Sequence, residues 1–230
     1  MIRLRVLTVI GVIGELALTV GVLLLFFVLW LVFWTGHRGA VEAAHTVATL
    51  QKQWDALPVN HVRDDSPRSI PTPTAGQPFA ILRVPRFGSH WQMPVREGTG
   101  RDVLREGVGH YAGTALPGAV GNLALAGHRT TWGQPFHDIE RLRTGDEVRV
   151  QTRWARFTYR VTGHQIVRPS QRDVLDPVPG QPRVTPDQAV LTLTTCHPEY
   201  SDRQRWVVRA VLVSASASAS ASVSASAWAN

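Results

Sequence analysis

The sequence predicts a mainly β protein, a closed barrel of short strands, and three observations lead to that fold class. Seven segments alternate apolar with polar residues, or run apolar between turns of Gly, Pro and Asp, as strands do. Helical spacing between them is brief, at 102–106 and again at 135–143. Many short strands with few helices are typical of a sandwich or a barrel, and a closed barrel leaves no exposed edge. The seven segments are residues 79–84, 91–96, 122–128, 146–152, 156–167, 189–195 and 205–213.

An apolar segment over residues 6–34 precedes the predicted barrel. Its sequence, VLTVIGVIGELALTVGVLLLFFVLWLVFW, contains one charged residue, Glu15. A helix needs about 20 apolar residues to cross a bilayer, and the insertion free energy of so many apolar side chains outweighs a carboxylate that costs at most about 3 kcal/mol. A cleaved signal peptide is the alternative, but its apolar core spans only about 7–15 residues before small residues at a cleavage site. The length and the aromatic end of the segment therefore predict an uncleaved anchor.

The charges on either side of this segment predict its orientation. Arg3, Arg5 and the amino terminus outnumber the charges just beyond it, mainly Arg38. Because positive charge is retained on the cytoplasmic side, we expect a single-pass protein of the cell membrane with its N-terminus in the cytoplasm. The rest of the chain would then be extracellular.

The chain divides into four predicted regions. Residues 1–36 form a cytoplasmic stub and the transmembrane anchor, and residues 37–75 form a juxtamembrane segment with a short amphipathic helix and a proline-rich linker. Residues 76–213 form the globular domain. Residues 214–230, an alternation of Ser and Ala, are predicted to be disordered because these residues have low strand propensity and bury little surface.

Charge and cysteine content narrow the functional classes. The formal net charge is +7, but the arginines are scattered and form no dense run, so nucleic-acid binding is not predicted. A single cysteine excludes an internal disulfide. No Cys-x-x-Cys or His-x-x-x-His spacing occurs, and no acidic cluster is evident. We therefore expect neither a zinc nor a calcium site and no cofactor.

The only cysteine, Cys196, follows the predicted strand 189–195 and precedes His197 and Pro198. Proline cannot donate to a strand ladder, so Cys196 is expected at the rim of the barrel. A nucleophilic thiol needs a proton partner, usually a histidine, and His128 closes another strand, so it can reach the same rim. The non-catalytic alternative is that Cys196 is a small buried side chain that contributes only to packing.

An arginine completes the candidate site. The last strand begins at Arg205, which returns to the rim of Cys196 if this strand pairs antiparallel with 189–195. Arg203 is two positions earlier and points the same way, so it is the competing candidate.

Four blocks of the sequence resemble the class E sortases of actinobacteria. The TLTTC run, followed by an arginine just before an apolar strand, is the signature of that family, and the blocks occur in the family's order. The blocks are HYAGTALPG (110–118), LAGHRTTWGQPFHDI (125–139), YRVTGHQIV (159–167) and LTLTTCHPEYSDRQRWVV (191–208).

The resemblance implies a closed β-barrel of about eight strands that acts as a cysteine transpeptidase. Such enzymes cut a sorting signal between Thr and Gly and join the threonine to an amine of a cell-wall precursor. Cys196 would attack the threonine carbonyl, His128 would exchange protons with the leaving and entering amines, and Arg205 would bind the substrate carbonyl or the oxyanion.

The resemblance also implies substrate-binding residues and partners. Tyr111 would favour Leu-Ala-x-Thr-Gly over Leu-Pro-x-Thr-Gly signals, and one threonine after the histidine, Thr131 in preference to Thr130, would contribute to substrate binding. The partners would be surface proteins that carry a sorting signal, a lipid-linked peptidoglycan precursor as the amine acceptor, and the membrane.

The residues themselves leave two other functional classes open. A cysteine hydrolase would use the same thiol and imidazole and differ only in the acceptor that captures the acyl group. A non-catalytic anchored binding module would need Cys196 for packing alone.

Overall fold

The structure, a computed structural model, describes residues 2–56 and 70–217, with the backbone alone for 2–10 and 31–38. Its eight strands close into a barrel in the order β1-β2-β3-β4-β7-β8-β6-β5, which confirms the predicted fold class. The strands are β1 Pro78–Arg83, β2 Gln92–Glu97, β3 Val108–His110, β4 Gly121–Ala126, β5 Glu147–Thr152, β6 Ala155–Val167, β7 Ala189–His197 and β8 Gln204–Ala217. The helices are α1 Ile2–Asp55 and α2 Arg101–Arg105, with single 3-10 turns at Pro85–Phe87, Ile139–Arg141 and Asp173–Leu175.

The barrel interior is filled by the apolar residues of the alternating strands. Leu123, Leu125, Leu191 and Leu193 of the adjacent strands β4 and β7 are all fully buried. The outer face of β4 is covered as well, because the amide of Asn122 donates hydrogen bonds to the carbonyls of the 3-10 turn that follows β6. Cover on both faces explains why β4 is buried along its whole length.

The middle of the sheet combines one parallel and one antiparallel pairing. Strand β4 pairs in parallel with β7, from Gly121↔Ala189 to Ala126↔Thr194. Strand β7 pairs antiparallel with β8. The C-terminal ends of β4 and β7 and the start of β8 therefore meet at one rim of the barrel.

Strand β8 runs four residues past its predicted end. Its last residues pair with the first part of β6, from Ser214↔Thr158 to Ala217↔Ala155. The weak propensity of Ser and Ala is offset here because β6 is long and offers an unpaired edge for the continuation of the ladder. The predicted tail thus contains strand residues at 214–217, while 218–230 lie outside the described residues.

Strand β3 is the one that the sequence pattern did not reveal. It spans three residues, Val108–His110, and all of them are buried. Three residues are too few for a period of two to be recognised. Within the described residues the barrel therefore has one more strand than the pattern predicted.

The N-terminal helix α1 is continuous from Ile2 to Asp55, where the sequence predicted an anchor and a separate short helix. Its segment Gly11–Trp30 is long and apolar enough to cross a membrane, with a mean hydropathy of 2.6 and no burial against the protein. Its last turns pack on the outside of the barrel, where Val47, Leu50 and Trp54 cover Ile81 of β1. The predicted proline-rich linker lies largely in residues 57–69, outside the described residues.

Candidate active site

Cys196 lies near the end of β7, directly opposite Arg205 of β8. The antiparallel pairing on which the placement of Arg205 depended is therefore present, and it brings Arg205 to the same rim as Cys196. The cysteine is a free thiol with intermediate exposure. Cys196 is therefore not fully buried, as a cysteine that serves packing alone usually is.

The parallel pairing of β4 with β7 brings His128 to the same rim. The ladder continues past the last paired residues, because Gly127 N–H donates to the carbonyl of Thr194 at 3.2 Å and the Thr195 hydroxyl donates to the carbonyl of Gly127 at 2.7 Å. His128 follows Ala126 by two residues, and Cys196 follows its partner Thr194 by two residues. His128 and Cys196 therefore each lie two residues past the last paired residues of β4 and β7, at the same rim.

The chain turns sharply between His128 and the following loop. A Cβ at Gly127 would lie 2.7 Å from the ring of Phe136, so only glycine fits this position. The N–H of Phe136 donates to the carbonyl of His128 at 3.0 Å, which closes the loop on itself. Because Phe136 is fully buried, the loop that carries the imidazole is fixed to the core.

The electrostatic environment of His128 favours the neutral imidazole. Burial lowers the pKa of His128, and the nearby guanidinium of Arg105 lowers it further. Among the described residues, Nε2 of this ring is buried and has no hydrogen-bond partner. A lowered pKa favours the neutral imidazole at neutral pH, and this is the form that can accept a proton.

The Arg105 side chain connects this loop to α2. Its guanidinium carbon lies 4.8 Å from the ring centroid of Trp132, within the range of a cation–π interaction. Trp132 is one of the loop residues with positive φ. A cation thus sits over the loop that follows His128.

A cavity of about 350 Å³ opens beside this rim and is lined by Tyr111, Thr194 and Arg205. The Tyr111 hydroxyl lies 3.0 Å from the hydroxyl of Thr194. Strand alternation puts Thr194 on the same face of β7 as Cys196. Tyr111 and Thr194 form part of the cavity wall, whereas Cys196 and His128 are not among its lining residues.

Arg205 is held in place by local carbonyl groups. Its Nη1 donates to the carbonyls of Asp202 at 2.8 Å and of Gln204 at 2.9 Å. The competing Arg203 is exposed and precedes the first residue of β8. It does not line the cavity, so the geometry favours Arg205.

The two candidate threonines lie in the loop after His128. Thr130 is half-buried, and Thr131 is exposed with its carbonyl accepting the N–H of Gln134 at 3.0 Å. Neither lines the cavity next to Tyr111. A contribution of Thr131 to substrate binding stays a prediction.

The sequence analysis missed a buried arginine next to the site. Arg129 is 5% exposed, and its Nη1 donates to the carbonyl of Cys196 at 3.4 Å and lies 3.1 Å from Nδ1 of His197. Its Nη2 lies 2.7 Å from a carboxylate oxygen of Glu140. Arg129 therefore ties the His128 loop to the end of β7. The only signal for it in the sequence was its position immediately after His128.

Metal-binding groups do not gather in the part of the chain that the structure describes. Within residues 2–56 and 70–217, no three His, Cys, Asp or Glu side chains lie close enough together to hold an ion.

Comparison with known proteins gives a consistent result. Residues 82–213 match the family model described as a sortase domain. The chain is 39% identical over 209 residues to sortase SrtE1 of Streptomyces coelicolor, an alignment that covers 87% of this chain and 56% of that protein. This chain thus spans little more than half the length of that relative.

Solved structures of similar proteins share the fold. Sortase E from Streptomyces avermitilis is 46% identical with a TM-score of 0.57, over 63% of this chain and 93% of that one. Sortase E1 from Streptomyces coelicolor, crystallised with a tripeptide in the active site, is 37% identical with a TM-score of 0.58, over 64% of this chain and 94% of that one.

Proposed function

Because this chain belongs to the sortase family, we propose that it is a membrane-anchored cysteine transpeptidase that acts on C-terminal sorting signals of the Leu-Ala-x-Thr-Gly type. The observation that carries the proposal is the meeting of three strands at one rim. Cys196 lies opposite Arg205, and the continued β4–β7 register brings in His128. The tripeptide in the active site of the Streptomyces coelicolor relative supports a peptide substrate.

The first half-reaction forms a thioester. His128, neutral because its pKa is lowered, takes the thiol proton of Cys196, and the sulfur attacks the carbonyl carbon of the threonine. The C–N bond to glycine breaks, and the glycine amine leaves with the proton that His128 returns to it. The guanidinium of Arg205 is suited to stabilise the negative charge on the carbonyl oxygen.

The second half-reaction transfers the acyl group to an amine. The entering amine attacks the thioester carbonyl and gives its proton to His128. The C–S bond breaks, an amide remains, and the sulfur recovers its proton from the imidazole. We propose that the acceptor is a lipid-linked peptidoglycan precursor, since the apolar span of α1 would hold the barrel at the outer membrane surface where such an acceptor resides.

Specificity is proposed to come from the cavity wall. The hydroxyls of Tyr111 and Thr194 lie 3.0 Å apart and border the cavity that Arg205 closes on the other side. These hydroxyls would bind the peptide backbone next to the alanine of the signal. Thr131 is proposed to contact the substrate from the loop after His128.

A peptide-plus-amine assay tests the function. The full chain in detergent is incubated with a Leu-Ala-x-Thr-Gly peptide and triglycine, and the products are separated by mass spectrometry. We expect a ligated product, its loss in Cys196→Ala, and a decrease of about 10²–10³ in kcat for Arg205→Gln. Arg203→Gln is the matched control and should retain activity.

The same assay separates the alternatives. Free threonine acid as the sole product, at saturating triglycine, would favour a hydrolase. No cleavage of Leu-Ala or Leu-Pro peptides by a folded chain would favour a binding module and contradict the proposal.

A further inference from the structure

A second cavity lies on the outside of the barrel and has a strongly basic lining. It has a volume of about 560 Å³ and spans β1, β5, β6 and β8. Four arginines line it, and Glu147 is the one carboxylate among its lining residues. We call this surface the arginine groove; its arginines are Arg83, Arg149, Arg156 and Arg160.

The strand register brings the arginines together. Arg83 of β1 lies directly opposite Arg149 of β5, although like charges on paired positions destabilise a sheet. Arg156 lies opposite Gln151 on the next pair of strands. The positive charge is therefore concentrated by the fold across three adjacent strands.

The groove does not neutralise this charge from its own residues. Its carboxylate, Glu147, already accepts two hydrogen bonds from Arg149, at 3.1 and 2.6 Å. Among the described residues, Nε of Arg83 is buried and has no hydrogen-bond partner. Burial, and then repulsion from Arg156 and Arg149, lowers the pKa of the Arg83 guanidinium. A buried donor without a partner and crowded cations are the conditions that an anion relieves.

The chemistry of the lining identifies the anion. Planar guanidinium groups match phosphate oxygens with paired hydrogen bonds. Thr158, Ser214 and Ser216 add hydroxyls, and Gln151 adds an amide, which suit the hydroxyls of a polyol. No aromatic side chain is among the described residues that line the groove, and these residues therefore offer no stacking platform for the bases of a nucleic acid.

The position of the groove argues against lipid headgroups as the source of the phosphates. Helix α1 contacts β1 through Val47, Leu50 and Trp54, which follow the end of the apolar segment at Trp34 by 13 residues or more. At about 1.5 Å per residue, this contact lies roughly 20–30 Å along the helix from the membrane. The groove also lies far from the thiol, because nine residues of β8 separate Arg205 from Ser214, about 30 Å of extended strand.

We propose that the arginine groove is a docking site for a linear phosphodiester polymer of polyol units outside the membrane. Its location relative to the bilayer rests on the anchored topology of the proposed function. The binding chemistry is independent of transpeptidation. Bound polymer would hold the barrel against the anionic material of the wall while the rim with the thiol stays open.

Direct binding measurements test this site. The full chain in detergent is titrated with a fluorescent oligomer of glycerol phosphate, and the double variant Arg156→Gln, Arg160→Gln is compared with the parent. We expect at least a tenfold weaker Kd for the variant and a log Kd that depends on log salt with a slope of about 2, for roughly three phosphate contacts on a flexible chain. The matched control removes two exposed arginines outside the groove, Arg168→Gln with Arg183→Gln, and should stay within about twofold of the parent.

Several outcomes would overturn the proposal. The first is equal affinity of the groove variant and the parent for the oligomer. The second is a loss of affinity in the control variant as large as that in the groove variant, which would indicate nonspecific attraction to net charge. Equal affinity for a single-stranded oligonucleotide would contradict the polyol specificity. Groove-dependent binding to phosphatidylglycerol vesicles, without binding to the oligomer, would assign the site to lipid headgroups. Peptide ligation by the groove variant, measured in parallel, should equal that of the parent, so failure of this proposal is distinguishable from failure of the proposed function.

Discussion

Replacement of the buried Arg129 by methionine is the perturbation for which the structure gives the clearest consequences. The guanidinium makes three contacts, with the carboxylate of Glu140 at 2.7 Å, with Nδ1 of His197 at 3.1 Å and with the carbonyl of Cys196 at 3.4 Å. Methionine keeps the apolar volume of the side chain and removes all three. The change therefore tests the connection between the His128 loop and β7 without opening a large cavity.

The expected loss of stability follows from these contacts. A hydrogen bond to a charged group contributes about 1.5–3 kcal/mol when its partner is buried. The Glu140 side chain is 43% exposed and can be rehydrated, so its contact is discounted to below about 1 kcal/mol. The carbonyl contact is long and contributes little. We expect a decrease of about 2–3 kcal/mol in the free energy of unfolding, which lowers Tm by roughly 5–10 °C for a chain of this size.

The effect on catalysis should exceed the effect on stability. Replacement of Arg129 removes the hydrogen bond from the His128 loop to the Cys196 carbonyl, and a displacement of about 1 Å between reacting groups costs roughly 10²-fold in rate. We expect kcat for thioester formation to fall by about 10-fold or more at a temperature well below Tm, with KM little changed. Arg129→Lys should recover part of the stability but less of the rate, because an ammonium cannot contact three partners in a plane.

The assay is single-turnover acylation with a fluorogenic peptide, alongside thermal unfolding. Arg141→Met is the matched control, since Arg141 is exposed and pairs only with Asp138 three residues away. A methionine variant of Arg129 that melts early but acylates at the parental rate would refute the positioning role and leave Arg129 as a structural residue.

The remaining predictions concern the imidazole, the cavity wall and the anchor helix. The parent should lose stability as the pH falls below about 6.5, because the pKa of His128 is lowered in the folded state and the unfolded chain therefore binds the proton more readily. His128→Gln should remove this loss. The test compares the free energies of unfolding at pH 5 and pH 7.5, and a difference between the two pH values that is the same in parent and variant would contradict the prediction. Tyr111→Phe and Thr194→Val should each reduce the preference for Leu-Ala over Leu-Pro peptides, measured as a ratio of kcat/KM values, several-fold. The double variant should reduce this preference little further, because the two hydroxyls share one hydrogen bond. Additive effects of the two substitutions would show that the hydroxyls act separately. Gly39→Leu should slow acylation in the full chain, because a Cβ at this position would lie 2.6 Å from backbone atoms of the loop after His128. The control Gly14→Leu should leave the rate unchanged, because a Cβ there would have nothing within 4 Å. Equal acylation rates for the two variants would show that the loop accommodates a side chain at position 39.

Local patterns in the sequence predicted seven of the eight strands that the structure describes and placed Cys196 and Arg205 at strand ends. Alternation marked the long strands, and the prolines and glycines marked where they end, so that Cys196 and Arg205 could be placed at one rim once antiparallel pairing was assumed. The pairing of β4 with β7 could not be derived in the same way. Parallel neighbours are set by contacts far apart in the chain, and here 62 residues separate Ala126 from Ala189.

The residues that were missed are those whose environment depends on tertiary contacts. Arg129 reads as one more scattered arginine until the fold buries it against β7. Ser214 and Ser216 read as part of a repetitive tail until β6 provides a partner for them. Propensity and periodicity describe a segment in isolation, whereas burial and pairing depend on which other segment arrives beside it.

The contact of α1 with the barrel links the anchor to the reactive rim. Gly39 lies five residues after the apolar segment ends at Trp34, and the close approach at this glycine is made by Trp132 and Gly133 of the loop that His128 begins. The helix continues without a break to its apolar contact with β1. If α1 spans a bilayer as proposed, its orientation would set the orientation of the rim, because a rigid helix transmits its tilt to the loop it touches. An acceptor held in the same bilayer would then meet the thioester within a narrow range of heights, which favours transfer to a membrane-bound amine over transfer to water.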